Sequence, residues 1–110
     1  MRVVKRNGDV VRFNQKKIES VLRKAFASVG KKYDSQVLKR VVYDIHDYQW
    51  EFTGEPDAKL KANRNEITIE ELQDVIEVTL MDMKHFDVAK NYIIYRKERS
   101  QLRDLIKEKE

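Results

Sequence analysis

At 110 residues, with a net charge of +4 and a mean hydropathy of −0.72, the chain has room for one domain and a small core. It has no cysteine, which excludes disulfides, thiolate zinc sites and cysteine nucleophiles. No apolar run approaches the roughly 20 residues of a membrane span, and the N-terminus has no signal-peptide core; the absence of cysteine fits a cytoplasmic location. The charge is unevenly spread: residues 1–32 carry ten Lys or Arg against two acids, whereas 51–87 carry four against ten. A basic end of this kind suits an anionic partner such as phosphate or nucleic acid, or is simply a solvated surface.

In chain order, Arg2–Arg6 and Asp9–Phe13 flank Asn7-Gly8, a dipeptide suited to a type I′ turn, and predict a β-hairpin. An isolated hairpin is marginal, so it must lie on something or gain a strand. Asn14 is placed to cap a first helix, with Phe13 and Ile18 in the staple positions. Ile18, Val21, Leu22, Ala25, Phe26 and Val29 then follow helical spacing up to a stop at Gly30. A second helix is expected from Asp34 or Ser35, with Leu38, Val41, Val42, Ile45, Tyr48 and Phe52 as its stripe.

Residues 53–66 break the pattern with Thr53-Gly54-Glu55-Pro56-Asp57 and a polar stretch, and read as a loop. Glu66-Ile67 offers a short third strand. Thr68 with Glu71 then forms a capping box, and Ile67 with Leu72 a staple, at the start of a third helix carrying Leu72, Val75, Ile76, Leu80 and Met83. After a break at Lys84–Asp87, a fourth helix follows with Val88, Ala89, Tyr92, Ile93, Tyr95, Leu102, Leu105 and Ile106.

Catalytic chemistry finds little support. His46 and His85 sit on different elements without metal-like spacing, and read as surface or boundary residues. The acids of 66–82 read as a solvated helix face. There is no Walker-type loop, no GxGxxG and no serine-nucleophile motif. Phosphate binding has more behind it. Lys5 and Arg6 stand beside a tight turn, Lys17 lies one turn into the first helix, and the helix start adds free N–H groups and a positive dipole end near Asn14. Arginine offers a fork of donors and lysine a mobile point charge, so these groups are expected to converge on one phosphate seat. A solvated Lys-Arg pair is the alternative.

The ordered series Val3-Val4-Lys5-Arg6-Asn7-Gly8, Val11-Arg12-Phe13-Asn14 and Lys17-Ile18 resembles the opening signature of the ATP-cone domain. Ile69–Glu77, Leu80-Met81 and Val88–Arg99 continue the resemblance, which covers about residues 2–100. It implies an α+β, mostly helical fold, with a small three-stranded cap on a four-helix bundle. The module would occupy 1–104, with 53–66 a loop insertion and 105–110 a charged extension. The resemblance further implies binding of ATP, which permits activity, or dATP, which stops it, with Mg2+ an optional companion. Lys5, Arg6 and Lys17 would hold phosphates and Asn14 the ribose or phosphate region. Val3, Phe13, Ile18, Leu72 and Gln73 would surround the base, while Arg99, Tyr95 and Arg96 would close the phosphate side. Phe13, Ile18 and Leu72 also have a packing role as staple residues.

The family occurs at the N-terminus of ribonucleotide reductase large subunits and in a zinc-ribbon repressor of reductase genes. A chain starting directly at the hairpin, with a YRxxR ending, resembles the reductases, the anaerobic glycyl-radical class among them. The partners implied are ATP or dATP, a reductase catalytic domain and further copies of the parent, with no membrane. Three readings are separable: a nucleotide-sensing regulator (of a reductase, in a repressor or freestanding), a nucleic-acid binder and a helical interaction module. Acidic second and third helices disfavour a broad nucleic-acid face.

Overall fold

The computed structural model describes the backbone of residues 2–51 and 66–109 and the side chains of residues 2–45 and 66–102. Of the break expected over 53–66, residues 53–65 lie outside the described residues, with Phe52 and the side chains of His46, Tyr48, Leu105 and Ile106, and Glu66 belongs to a strand. The elements are β1 (Arg2–Val4), β2 (Val10–Arg12), α1 (Gln15–Ser28), α2 (Ser35–Glu51), β3 (Glu66–Thr68), α3 (Ile69–Asp82) and α4 (Phe86–Lys109). Each helix packs on the next, and α4 returns to α1, closing a four-helix bundle beneath the small sheet.

The sheet order is β2-β1-β3. β1 pairs antiparallel with β2 (Val3 opposite Val11) and parallel with β3 (Val3 opposite Ile67). Val3 and Ile67 are buried against the bundle, whereas β2 is exposed along its whole length. The third strand expected at Glu66-Ile67 is therefore present, and it makes the hairpin stable by pairing its inner strand on both sides.

The turn differs from the expected type I′. Gly8 N–H donates to Lys5 C=O at 2.9 Å and Lys5 N–H to Asp9 C=O at 2.8 Å, closing a three-residue loop, Arg6-Asn7-Gly8. Only Gly8 of the three is left-handed, at φ +91°. Asn7 instead folds its side chain onto Asp9, accepting from the Asp9 N–H at 3.0 Å. Such an Asx contact holds Asn7 without requiring positive φ, and the extra residue is absorbed as a bulge.

The helix ends follow the sequence closely. Asn14 Oδ1 accepts from the Lys16 N–H at 3.0 Å, and Thr68 and Glu71 form a complete reciprocal capping box. α1 ends in a Schellman motif: Lys31 N–H reaches Phe26 C=O and Gly30 N–H reaches Ala27 C=O, with Gly30 at φ +72°. α3 ends the same way on a non-glycine residue, Lys84, at φ 65°.

The core joins Leu22 and Phe26 of α1, Val37 and Val41 of α2, Val75, Ile76 and Leu80 of α3, and Val88 and Ala89 of α4. Val37 and Thr79, absent from the expected stripes, are fully buried, and Asp44 is nearly so. Val21, Ile93, Tyr95 and Leu102, expected inside, are exposed. On α1 and α4 the buried residues form only a narrow stripe, and the flanking apolar side chains stay exposed.

Candidate functional site

β2 and β3 run in opposite directions on either side of β1, so the helices they feed leave from opposite ends of the sheet. The Arg6 loop and the start of α3 share the Val4 end, while Asn14 and Lys17 lie beyond the Arg2–Arg12 end. The backbone positions that carry these cations therefore lie at the two ends of a sheet about 7 Å long. This follows from the hairpin itself, which must put its loop and its exit at opposite ends.

Lys5 and Lys17 are exposed, and among the described residues neither side chain is engaged in an ion pair or hydrogen bond. α1 has no acidic residue in its first turn, and Lys16 and Lys17 stand there instead. α3 already carries Glu70 and Glu71 at its own N-terminus. Of the two helix starts beside the cap, α1 is the one whose positive end is left for an outside anion.

Arg6 leans from the loop onto α3, its Nε 2.7 Å from Glu70 Oε1 and its Nη2 3.3 Å from Gln73 Oε1. The structure thus brings Arg6 and Gln73 together. Val3, Ile18 and Leu72 are buried and Phe13 is half-buried against the same core, which for Phe13, Ile18 and Leu72 is consistent with their staple positions.

The α4 residues divide between two faces. Arg96 turns toward α3, where Glu70 (3.1 Å), Asp74 (3.0 Å) and Glu77 all accept from its guanidinium. Tyr95 turns toward α1 and lines a groove of about 450 Å3 with Val21, Ala25 and Tyr92; the Arg99 guanidinium lies 6.0 Å from its ring. Burial alone would weaken the charge of Arg96, but the hydrogen bonds to Glu77, Asp74 and Glu70 outweigh it and push its pKa up. For Glu70, burial favours the neutral acid, yet hydrogen bonding from Arg96 and the nearby Arg6 charge hold its carboxyl below the usual range. Burial pushes the Tyr92 hydroxyl well above its ordinary value, so it stays protonated.

The acids of α3 are therefore not simply a solvated face. Glu70, Asp74 and Glu77 follow i, i+4, i+7 spacing and form one stripe that grips Arg96, with Glu77 only 18% exposed. That i, i+4, i+7 spacing of acids, on a helix followed by one that carries Arg96, was the available sequence signal. His85 is half-buried, its Nε2 3.2 Å from Asp34 Oδ2 and its ring edge-on to Phe26. Among the described residues no group of three or more His, Asp or Glu is arranged to hold a metal ion, and no helix is long and apolar enough to cross a membrane.

The ATP cone domain model matches residues 1–101. The chain is 37% identical over 102 residues to the ribonucleoside-diphosphate reductase subunit alpha of Chlamydia trachomatis, covering 93% of this chain and 10% of that protein. It is 39% identical over 109 residues to the vitamin B12-dependent ribonucleoside-diphosphate reductase of Thermoplasma acidophilum, covering 93% and 12%. It is 29% identical over 106 residues to the alpha subunit of Treponema pallidum, covering 94% and 12%. The chain spans about a tenth of the length of the curated relatives it matches. With its three-stranded cap on four helices, the chain belongs to the ATP cone domain family, an allosteric nucleotide-binding regulatory module of ribonucleotide reductase large subunits.

Proposed function

We propose that this chain senses ATP and dATP and sets the overall activity of a ribonucleotide reductase to which it is joined, without taking part in the chemistry. The observation that carries this is a cap that carries Lys5 and Arg6 at one end and, at the other, feeds a helix start that holds lysines and no acid. A triphosphate supplies several negative oxygens to such a bracket, whereas a single carboxylate would satisfy only one part of it. Lys5, Arg6 and Lys17 take the phosphates; Asn14, beyond capping α1, lies on the ribose or phosphate side. Gln73, half-buried beside Arg6, is the polar contact for the base, among Val3, Phe13, Ile18 and Leu72. Arg96, Tyr95 and Arg99 complete the α4 side, and Mg2+ would arrive with the triphosphate. The module is taken as residues 1–104, with an insertion over 53–66.

With no catalytic group in this reading, occupancy must be read out through shape or association. A ligand shifts an equilibrium only by its differential affinity for the two states, so the one hydroxyl that separates ATP from dATP must be felt differently in each. Calorimetry with ATP, dATP and a short DNA duplex at two salt concentrations tests the ligand. Competitive binding of both nucleotides, with no duplex binding, is expected. Light scattering of the intact parent with each nucleotide tests the switch: a mass that changes with dATP and not with ATP is expected. Equal masses and equal activity would leave a binding domain that is not a switch.

A further inference from the structure

Glu70 uses both carboxylate oxygens on arginines of different elements. Oε1 lies 2.7 Å from Nε of Arg6 on the cap loop, and Oε2 lies 3.1 Å from Nη2 of Arg96 on α4. The three residues border an open recess of about 300 Å3, together with Glu77 and Lys97. The two ends of this bridge are not equal. Arg96 keeps Asp74 and Glu77 if Glu70 leaves, and its side chain is 19% exposed. Arg6 keeps only the neutral Gln73 at 3.3 Å, and its side chain is 39% exposed. The weak end is the one on Arg6, because a half-exposed pair with one charged partner is readily exchanged.

We propose that Glu70 is a built-in competitor for the triphosphate: its carboxylate occupies the Arg6 guanidinium in the empty domain, and an arriving phosphate must displace it. This rests on Arg6 being a phosphate contact, as in the function proposed above. Glu70 Oε1 takes the Nε and Gln73 Oε1 the Nη2 of one guanidinium edge, the edge that two oxygens of a phosphate would fork, so Glu70 and a phosphate cannot both hold it fully at once. Displaced from Arg6, Glu70 stays tethered to Arg96, so the exchange changes the connection between cap and α4 without unfolding either. Glu70 thereby sets the affinity threshold of the site, and acts as a positioning residue through Arg6.

The experiment compares the 110-residue chain, E70Q, R6A and the double variant, titrated calorimetrically with ATP and separately with inorganic triphosphate. E70Q is expected to bind both probes roughly two- to fivefold more tightly, the range that freeing one half-exposed ion pair allows. In the R6A background the same substitution is expected to change nothing. Tightening of equal size in R6A would mean general removal of negative charge, and would overturn the proposal. So would tightening with ATP alone, which would place the effect at the nucleoside. Equal binding by the wild-type chain and E70Q overturns this inference alone, whereas no binding by either overturns the nucleotide reading with it. An independent arm needs no ligand: the Arg6 Nε–H resonance in 15N spectra should move upfield in E70Q, and an unmoved resonance would show that the contact does not form.

Discussion

Thr79 Oγ1 donates to Asp44 Oδ2 across 2.8 Å, at the buried seam where α3 crosses α2. Arg40 reaches the other carboxylate oxygen at 3.0 Å and Asp82 at 3.1 Å, so one guanidinium ties both helices together from the rim. A carboxylate only 5% exposed is tolerable here because both its oxygens are satisfied.

Thr79→Val should therefore destabilise the fold by about 1–3 kcal/mol, since the shape is kept and one buried acceptor loses its donor. Urea denaturation measures it: a lower midpoint with an unchanged slope is expected. Thr79→Ser, which keeps the hydroxyl, should recover much of the loss.

Arg96→Ala removes the cation that three α3 carboxylates share, and should cost about 2–4 kcal/mol, near the range for an ion pair broken from one side. This cluster, with the separate Lys31–Asp87 pair, gives the stability a pH dependence of known sign. Arg96 and Arg6 lower the Glu70 carboxyl, and the hydrogen bond from Lys31 lowers that of Asp87. Their contributions are complete above the usual carboxylate values near 4 and are lost as pH falls through the lower folded values. The urea midpoint should fall on acidification below about pH 4.5, and less steeply in Arg96→Ala.

The two Schellman ends make a matched pair. Lys84 adopts φ 65° with a side chain, whereas Gly30 adopts φ 72° without one. Lys84→Gly should stabilise by roughly 0.5–1 kcal/mol, as relief of left-handed strain exceeds the added freedom of the unfolded chain. Gly30→Ala should destabilise by about 1 kcal/mol, although a Cβ there meets nothing within 4 Å. Thermal melts showing the same sign for both would refute the assignment.

Gly8→Val tests the loop. No atom lies within 4 Å of a Cβ built on Gly8, so any penalty comes from the backbone at φ +91°. A β-branched residue resists that conformation, and the loop should lose about 1–2 kcal/mol. Triphosphate affinity should drop while the helical circular-dichroism signal persists; Gly8→Asn should be milder.

Replacing Lys5 and Arg6 together with Ala should weaken triphosphate binding by several kcal/mol, at roughly 1.5–3 kcal/mol for each charge-assisted contact. Both side chains are exposed, so the fold should survive. Unchanged ATP affinity in the folded variant would remove the phosphate site from the cap loop.

Local signals in the sequence carried most of this fold. Asn14, Gly30 and the Thr68–Glu71 box mark helix ends through contacts made within a few residues, and such contacts survive almost any tertiary arrangement. Hidden from view were features set by what lies opposite. Val37 and Thr79 are buried because α2 and α3 meet along a face the apolar periodicity only partly marks. Arg96 reads as an available cation until the stripe Glu70-Asp74-Glu77 is set beside it. The family resemblance names Arg6 and Gln73 separately, and the pairing register is what shows why they meet: β3 runs parallel to β1 and delivers α3 to the loop end of the sheet.

α4 extends over 24 residues, yet among its described side chains the last buried one is Tyr92. From Arg96 to Lys109 the helix continues for about 20 Å at 1.5 Å per residue. Over that length a change of 10° in the direction of the helix would carry its tip by about 3 Å. Glu70 meets Arg96 at the near end of that length, so a cap contact bears on the base of a long lever.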